Sequence, residues 1–197
     1  INGQRSRIDL NYFSKGKSVI VYGQTEITID LISTHIGSGG EIIFNADNVL
    51  PNKFDTSKPN ITYQHNNINY QLDCDFIAGC DGFHGVSRSQ IPIKDQTIFE
   101  RKYPYAWLGI LAEAPPPSNE LIYATHERGF ALFSMRPPSR SRSYLQCSPD
   151  LDLNKWPDTR IWDELQTRLG SKTESPVCEG KILAKGVTPM RSFVVEP

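Results

Sequence analysis

The stretch that most constrains this chain runs from Asp73 to Arg88. Three apolar residues, Phe76-Ile77-Ala78, lead directly into a turn that carries Gly79, Gly82 and Gly85, with Asp81, His84 and, one step later, Arg88. The pattern predicts a short buried strand opening into a glycine turn. Glycines there take positive φ or let a ligand approach the backbone, and exposed amides at a strand's carboxyl edge suit anionic groups. Asp81 can accept a bond from a ribose hydroxyl or cap the turn itself, and Arg88 can meet a phosphate with two parallel bonds. The same spacing also fits a tight Asp-Gly turn beside a surface arginine, because no helix-opening dinucleotide fingerprint precedes it.

The elements from residue 21 up to this stretch are expected to belong to a nucleotide-binding domain, and residues 1–20 to a later sheet. Residues 5–10 and 18–22, the second carrying Val19-Ile20-Val21, predict a β-hairpin around Ser14-Lys15-Gly16-Lys17. Apolar residues at Ile27, Leu31, Ile32 and Ile36 have helical spacing after a Thr25 N-cap, and the glycines at 37, 39 and 40 close it, so a helix is expected over about 26–35. A strand at 41–44, a loop over 48–60, and a hairpin of 61–63 with 68–72 around the turn at His65-Asn66-Asn67 complete the order. That order resembles the later part of an α/β nucleotide-binding domain.

After Pro92 the segments lengthen and alternate: 105–112, 121–126, 129–136 and 141–147, separated by Pro115-Pro116-Pro117, Glu127-Arg128-Gly129 and Pro137-Pro138-Ser139. An antiparallel sheet with one covered face is predicted. Residues 158–169 make an amphipathic helix, with Ile161, Trp162, Leu165 and Leu169 on one side and Gly170 at its end. The last strands are expected at 181–185 and 193–195. The fold class is therefore α/β with α+β character, divided into residues 21–97 as a partial nucleotide-binding domain and residues 1–20 with 98–197 as an antiparallel sheet domain.

Composition narrows the function. With 197 residues, 38% hydrophobic, 22% charged and a net charge of −1, the chain has material for a core but no basic stripe for nucleic acid or an anionic membrane. Partners are expected to be small molecules. No apolar run approaches the ~18 residues that span a bilayer, and no signal peptide opens the chain, so a soluble cytoplasmic protein is expected. Cys74, Cys80, Cys147 and Cys178 lack paired metal spacing and read as reduced thiols, the first two in or beside a buried strand; no metal is expected. A start without Met and a stop straight after a strand read as a fragment.

A second constellation lies in the sheet. Ser134-Met135-Arg136 ends one strand and Arg142-Ser143-Tyr144 begins the next. Alternation pairs Ser134 with Arg136 and Arg142 with Tyr144 on a face. If both pairs share that face, two guanidiniums, a hydroxyl and a phenol converge, a shell suited to a carboxylate; the alternative is the wet polar face of a half-exposed sheet. Tyr123, between Ile122 and Ala124, is compatible with a core aromatic whose hydroxyl finds a partner.

Longer motifs add to this. Cys80-Asp81-Gly82-Phe83-His84-Gly85, Tyr103-Pro104-Tyr105-Ala106-Trp107-Leu108-Gly109, Glu120-Leu121-Ile122-Tyr123-Ala124, Arg128-Gly129-Phe130-Ala131-Leu132 and Arg191-Ser192-Phe193-Val194-Val195-Glu196-Pro197 closely resemble, in order, the class A flavoprotein aromatic hydroxylases that act on 4-hydroxybenzoate. The resemblance implies an FAD enzyme that uses NADPH and O2 to hydroxylate 4-hydroxybenzoate to protocatechuate, in the catabolism of aromatic compounds. It implies that Tyr123 binds the phenolic oxygen and helps draw off its proton, and that Arg136, Ser134 and Tyr144 hold the carboxylate. It further implies that Arg142 steadies the flavin and favours its anionic reduced ring, and that Gln24 contacts the flavin. Asp81 and Gly82 match the turn shared by the FAD pyrophosphate and NADPH, with His84, Arg88 and Arg191 on the NADPH side. Relatives of this kind are commonly homodimers.

The motifs for the ADP part of FAD and for the ribityl chain do not occur in this sequence, nor does the tyrosine that relays the phenolic proton onward. This polypeptide alone is expected to bind FAD weakly or not at all, and not to turn over. Two alternatives stand beside the leading expectation: a flavin hydroxylase for another aromatic acid or phenol, and a non-catalytic ligand-binding protein.

Overall fold

A computed structural model describes residues 4–82, 84–136, 138–170 and 176–196, with the side chains of 193–196 left aside. Phe83 of the glycine turn and Pro137 of the hairpin thus lie outside the described residues. The chain forms two compact units, Ile1–Ile29 with Arg101–Ser192, and Asp30–Glu100 with Phe193–Pro197. In chain order the elements are α1 (Leu10–Phe13), α2 (Gln24–Gly37), β1 (Asp47–Asn52), β2 (Asn60–His65), β3 (Ile68–Asp73), α3 (Val86–Gln90), β4 (Thr97–Glu113), β5 (Ile122–His126), β6 (Gly129–Met135), β7 (Ser141–Cys147), α4 (Asp158–Leu169) and β8 (Lys181–Glu196). The expected mixture of helices and antiparallel sheet is present. Among the described residues, no helix is long and apolar enough to cross a membrane.

The first unit is built on a five-stranded sheet in the order β5-β6-β7-β4-β8. Alternation along β4 buries Ala106, Leu108, Ile110 and Ala112, and Ala131, Phe133 and Leu145 join them from β6 and β7. Against this face lies α4, which buries Ile161, Trp162 and Leu165 at helical spacing and ends at Gly170 with φ +90°. Each fully buried Leu, Ile or Phe here contributes about 1.5–3 kcal/mol, so this layer contact holds the unit together. Two charged residues are buried in the same seam. Arg168 donates to Glu164 at 2.8 Å and, through one nitrogen, to the carbonyls of Phe130 (2.9 Å) and Gln146 (2.8 Å). The helix is thereby bonded to two strands by one guanidinium.

The second unit contains the three-stranded antiparallel sheet β1-β2-β3, with Tyr63 stacked on Tyr70 across β2 and β3 at 5.3 Å. Strand β1 corrects the loop expected over 48–60. Its Asn and Pro content reads as loop, yet Pro51 is buried in the strand, and proline is tolerated because β1 is an edge.

Other expectations fail for one shared reason. Residues 76–78 form no strand, and Phe76 is 91% exposed. Cys80, expected beside a buried strand, is exposed. No strand forms at 41–44, and residues 5–10 and 18–22 make no hairpin; α1 forms instead, with the Asp9 carboxylate accepting from the Tyr12 amide at 3.1 Å. An apolar or β-branched run supplies only a preference for the extended state, and a strand exists only where a neighbour takes its hydrogen bonds. The described residues offer these segments no such edge. Toward the C-terminus, by contrast, the strands expected at 181–185 and 193–195 are one continuous β8.

Candidate functional site

The face of the five-stranded sheet opposite α4 carries the residues singled out above. Register places Tyr123 opposite Leu132, Leu132 opposite Tyr144, and Tyr144 opposite Gly109, so one row of side chains crosses β5, β6, β7 and β4. In the adjacent row Ser134 is opposite Arg142, which is opposite Leu111. Cross-strand partners point to the same side of a sheet, so Ser134, Arg142, Tyr144 and Tyr123 share one face. Ser134 is buried, Tyr144 half-buried, Arg142 exposed, and Arg136, one residue beyond β6, half-buried. Tyr123 is 66% exposed, which excludes the core position that its neighbours allow. Its backbone lies two strand spacings from that of Tyr144, roughly 10 Å.

The electrostatics of this face are one-sided. The guanidinium carbon of Arg142 sits 5.3 Å from the centre of the Tyr144 ring, a cation–π placement. Among the described residues no carboxylate pairs with Arg136 or Arg142. Arg142 on this face, and Arg136 half-buried one residue beyond β6, thus have no carboxylate counter-charge among the described residues, and a guanidinium in that state can take an external anion.

Aromatic rings continue the face. Tyr103, Tyr105 and Trp107 alternate along β4 with centres 5.7 and 5.9 Å apart, and Phe130 stands 5.7 Å from both Trp107 and Tyr123. The two-residue spacing of the β4 aromatics is visible in the sequence. What it did not reveal is that their face is the uncovered one, or that Gly109 lies directly under Tyr144.

In the second unit the glycine turn is organised by Asp81. Its carboxylate accepts from the Ser87 amide at 2.9 Å, at the start of α3, and that bond holds the carboxyl below its ordinary range. Of the two roles open to Asp81, the capping one is thus taken up by the fold. Gly82 has φ +72°, and Gly79 and Gly82 are exposed, which leaves bare backbone accessible to a diphosphate. A side chain at 85 would collide with the Asp81 carboxylate. His84 is exposed and Arg88 half-buried on α3. The remaining two positions lie in the first unit: Gln24 is exposed at the start of α2, and Arg191 is exposed on β8.

The fold is similar to that of the anhydrotetracycline hydroxylase OxyS from Streptomyces rimosus, with a TM-score of 0.55 at 14% identity over 89% of this chain and 34% of that one. It is equally similar to CmlS, a flavin-dependent halogenase, with a TM-score of 0.57 at 12% identity over 85% of this chain and 31% of that one. These two likenesses are likenesses of fold. The family model of the FAD binding domain matches residues 1–197, and the chain belongs to that family. It is also 43% identical over 196 residues to a p-hydroxybenzoate hydroxylase from Acinetobacter baylyi, covering 100% of this chain and 48% of that protein. The chain spans about half the length of the curated relative it matches.

Proposed function

We propose that the protein to which this chain belongs is an FAD-dependent, NADPH-using monooxygenase that hydroxylates 4-hydroxybenzoate to protocatechuate. The observation that carries this reading is the open sheet face, where Arg142 meets no carboxylate among the described residues and two phenols, Tyr123 and Tyr144, stand two strands apart, with the half-buried Arg136 one residue beyond β6 likewise unpaired with a carboxylate. A small ring bearing an acid at one end and a hydroxyl at the other matches that spacing and charge. Arg136, with Ser134 and Tyr144, binds the carboxylate. Tyr123 accepts the proton side of the phenol's hydrogen bond, and drawing that proton away makes the ring carbon beside it more nucleophilic. Arg142 supplies positive charge over the same face, where it steadies an anionic reduced ring. FAD, when bound, supplies the activation of O2 with electrons from NADPH: one oxygen atom enters the ring and the other leaves as water.

In this reading residues 1–20 with 98–197 form the substrate domain, and residues 21–97 form part of the cofactor domain. The bare turn at Asp81 and Gly82 receives the diphosphate, Gln24 the flavin, and His84, Arg88 and Arg191 the NADPH. A soluble cytoplasmic enzyme that works as a homodimer is the setting proposed for it.

Titration of the complete, FAD-loaded protein with 4-hydroxybenzoate, benzoate and phenol, followed by intrinsic fluorescence, tests the proposal. 4-Hydroxybenzoate is expected to bind tightest, with Arg136→Ala weakening it and benzoate at least tenfold while leaving phenol unchanged. Equal loss for all three ligands would refute the carboxylate clamp.

A further inference from the structure

Gly109 stands in the interior of β4, where glycine weakens a strand because it has no side chain to pack and more freedom to lose. Its backbone does not require glycine, since its φ is not among the positive ones. Space admits a methyl in ordinary van der Waals contact, and the Tyr144 ring occupies the room beyond it. A Cβ built on Gly109 would meet Cε1 of Tyr144 at 3.4 Å and Cδ1 at 3.6 Å, with the carbonyl oxygen of Gly186 next at 3.8 Å. Trp107 and Leu111 flank the gap along β4 on the same face, and Leu132 flanks Tyr144 on its other side. The Tyr144 ring thus lies over the one position of the row that lacks a side chain, and Arg142 lies over that ring in turn.

We propose that Gly109 is a positioning residue for anion binding: its missing side chain is the seat of the Tyr144 ring, and through the ring it sets where the Arg142 guanidinium stands. The proposal rests on the functional reading above and deepens it. A methyl at 109 reaches ordinary van der Waals contact with the ring and leaves it nearly in place. A branched side chain occupies the ring's own space, lifts it from the sheet and carries Arg142 with it. The carboxylate end of the substrate loses its Tyr144 hydroxyl and the positive charge of Arg142 nearby, while the phenol end at Tyr123, two strands away, keeps its own partner.

The test compares wild type, Gly109→Ala, Gly109→Val, Tyr144→Ala and the double variant Gly109→Val with Tyr144→Ala, all as complete FAD-loaded protein. Dissociation constants for 4-hydroxybenzoate, benzoate and phenol are measured alongside melting temperature. The expected result is a Kd for both acids that rises slightly in Gly109→Ala and at least tenfold in Gly109→Val, with phenol unchanged. The melting temperature of Gly109→Val should equal or exceed wild type, because valine favours a strand. The double variant should bind no worse than Tyr144→Ala alone, since the two residues act through one ring. Additive losses, or a loss of phenol binding and melting temperature together with the acids, would overturn the role of Gly109. A Gly109→Val protein that binds acids like wild type would overturn it too. Wild type that fails to prefer 4-hydroxybenzoate over phenol overturns the functional reading itself, and this role with it.

Discussion

Arg168→Ala is the substitution whose cost follows most directly from the geometry. The guanidinium is 6% exposed and makes three bonds: to Glu164 at 2.8 Å, and to the carbonyls of Phe130 and Gln146 at 2.9 and 2.8 Å. Removing it leaves a buried carboxylate short of one partner and two strand carbonyls without a donor. Breaking a buried pair from one side typically costs about 3–5 kcal/mol. Here Arg128 retains the second Glu164 oxygen at 2.5 Å, although its own side chain is 54% exposed, so the lower end, about 3 kcal/mol, is expected. With a urea m-value of about 2 kcal/mol/M, the midpoint falls by about 1.5 M. All three tryptophans, Trp107, Trp156 and Trp162, lie in the sheet unit, so tryptophan fluorescence follows its unfolding specifically. Arg128→Ala, at a half-exposed partner, should cost about 1 kcal/mol or less. The combination Glu164→Leu with Arg168→Met should recover part of the loss, because it removes the buried carboxylate left without its partner, while the Phe130 and Gln146 carbonyls still lack the Arg168 donor. A midpoint shift below about 0.5 M for Arg168→Ala, or an equal shift for Arg128→Ala, would refute the reasoning.

Two further outcomes are expected. A Cβ at Gly180 would collide with the Glu113 carbonyl oxygen, and backbone has nowhere to retreat; Gly180→Ala should therefore cost about 1–3 kcal/mol in the same urea experiment, as overpacking does, and a neutral result would mean that the two backbones are farther apart. Because the Asp81 carboxyl is held below its ordinary range by the Ser87 amide, its contribution to the turn is fully present above the ordinary carboxylate range and is lost as pH falls through the lowered value. The Ser87 amide proton should accordingly shift upfield on acidification with a midpoint below that of an ordinary aspartate, and Asp81→Asn should remove that titration; a midpoint at or above the ordinary value would contradict the capping bond.

Much of the sheet unit is legible in the sequence. Residues 141–147 and the helix 158–169 emerged with the bounds expected of them, because a two-residue or 3.6-residue period and a closing Gly170 are local properties. Local signals misled where the partner was decisive. Val19-Ile20-Val21 and Phe76-Ile77-Ala78 have the composition of strands but no edge among the described residues to pair with, whereas Pro51 looks hostile to a strand and sits in one because the edge position excuses its missing N–H.

The site divides along the same line. That Tyr144 shares a side of its strand with Arg142, and that Tyr103, Tyr105 and Trp107 share a side of theirs, is dictated by the alternation of the extended chain and is readable from the sequence. Which side meets α4, that Ser134 stands opposite Arg142 rather than one residue along, and that Tyr144 lies over Gly109 are matters of register between distant segments. A slip of one residue would exchange the two faces throughout, and only the packing of Ile161, Trp162 and Leu165 against the alternate residues of β4, β6 and β7 selects one register over the other.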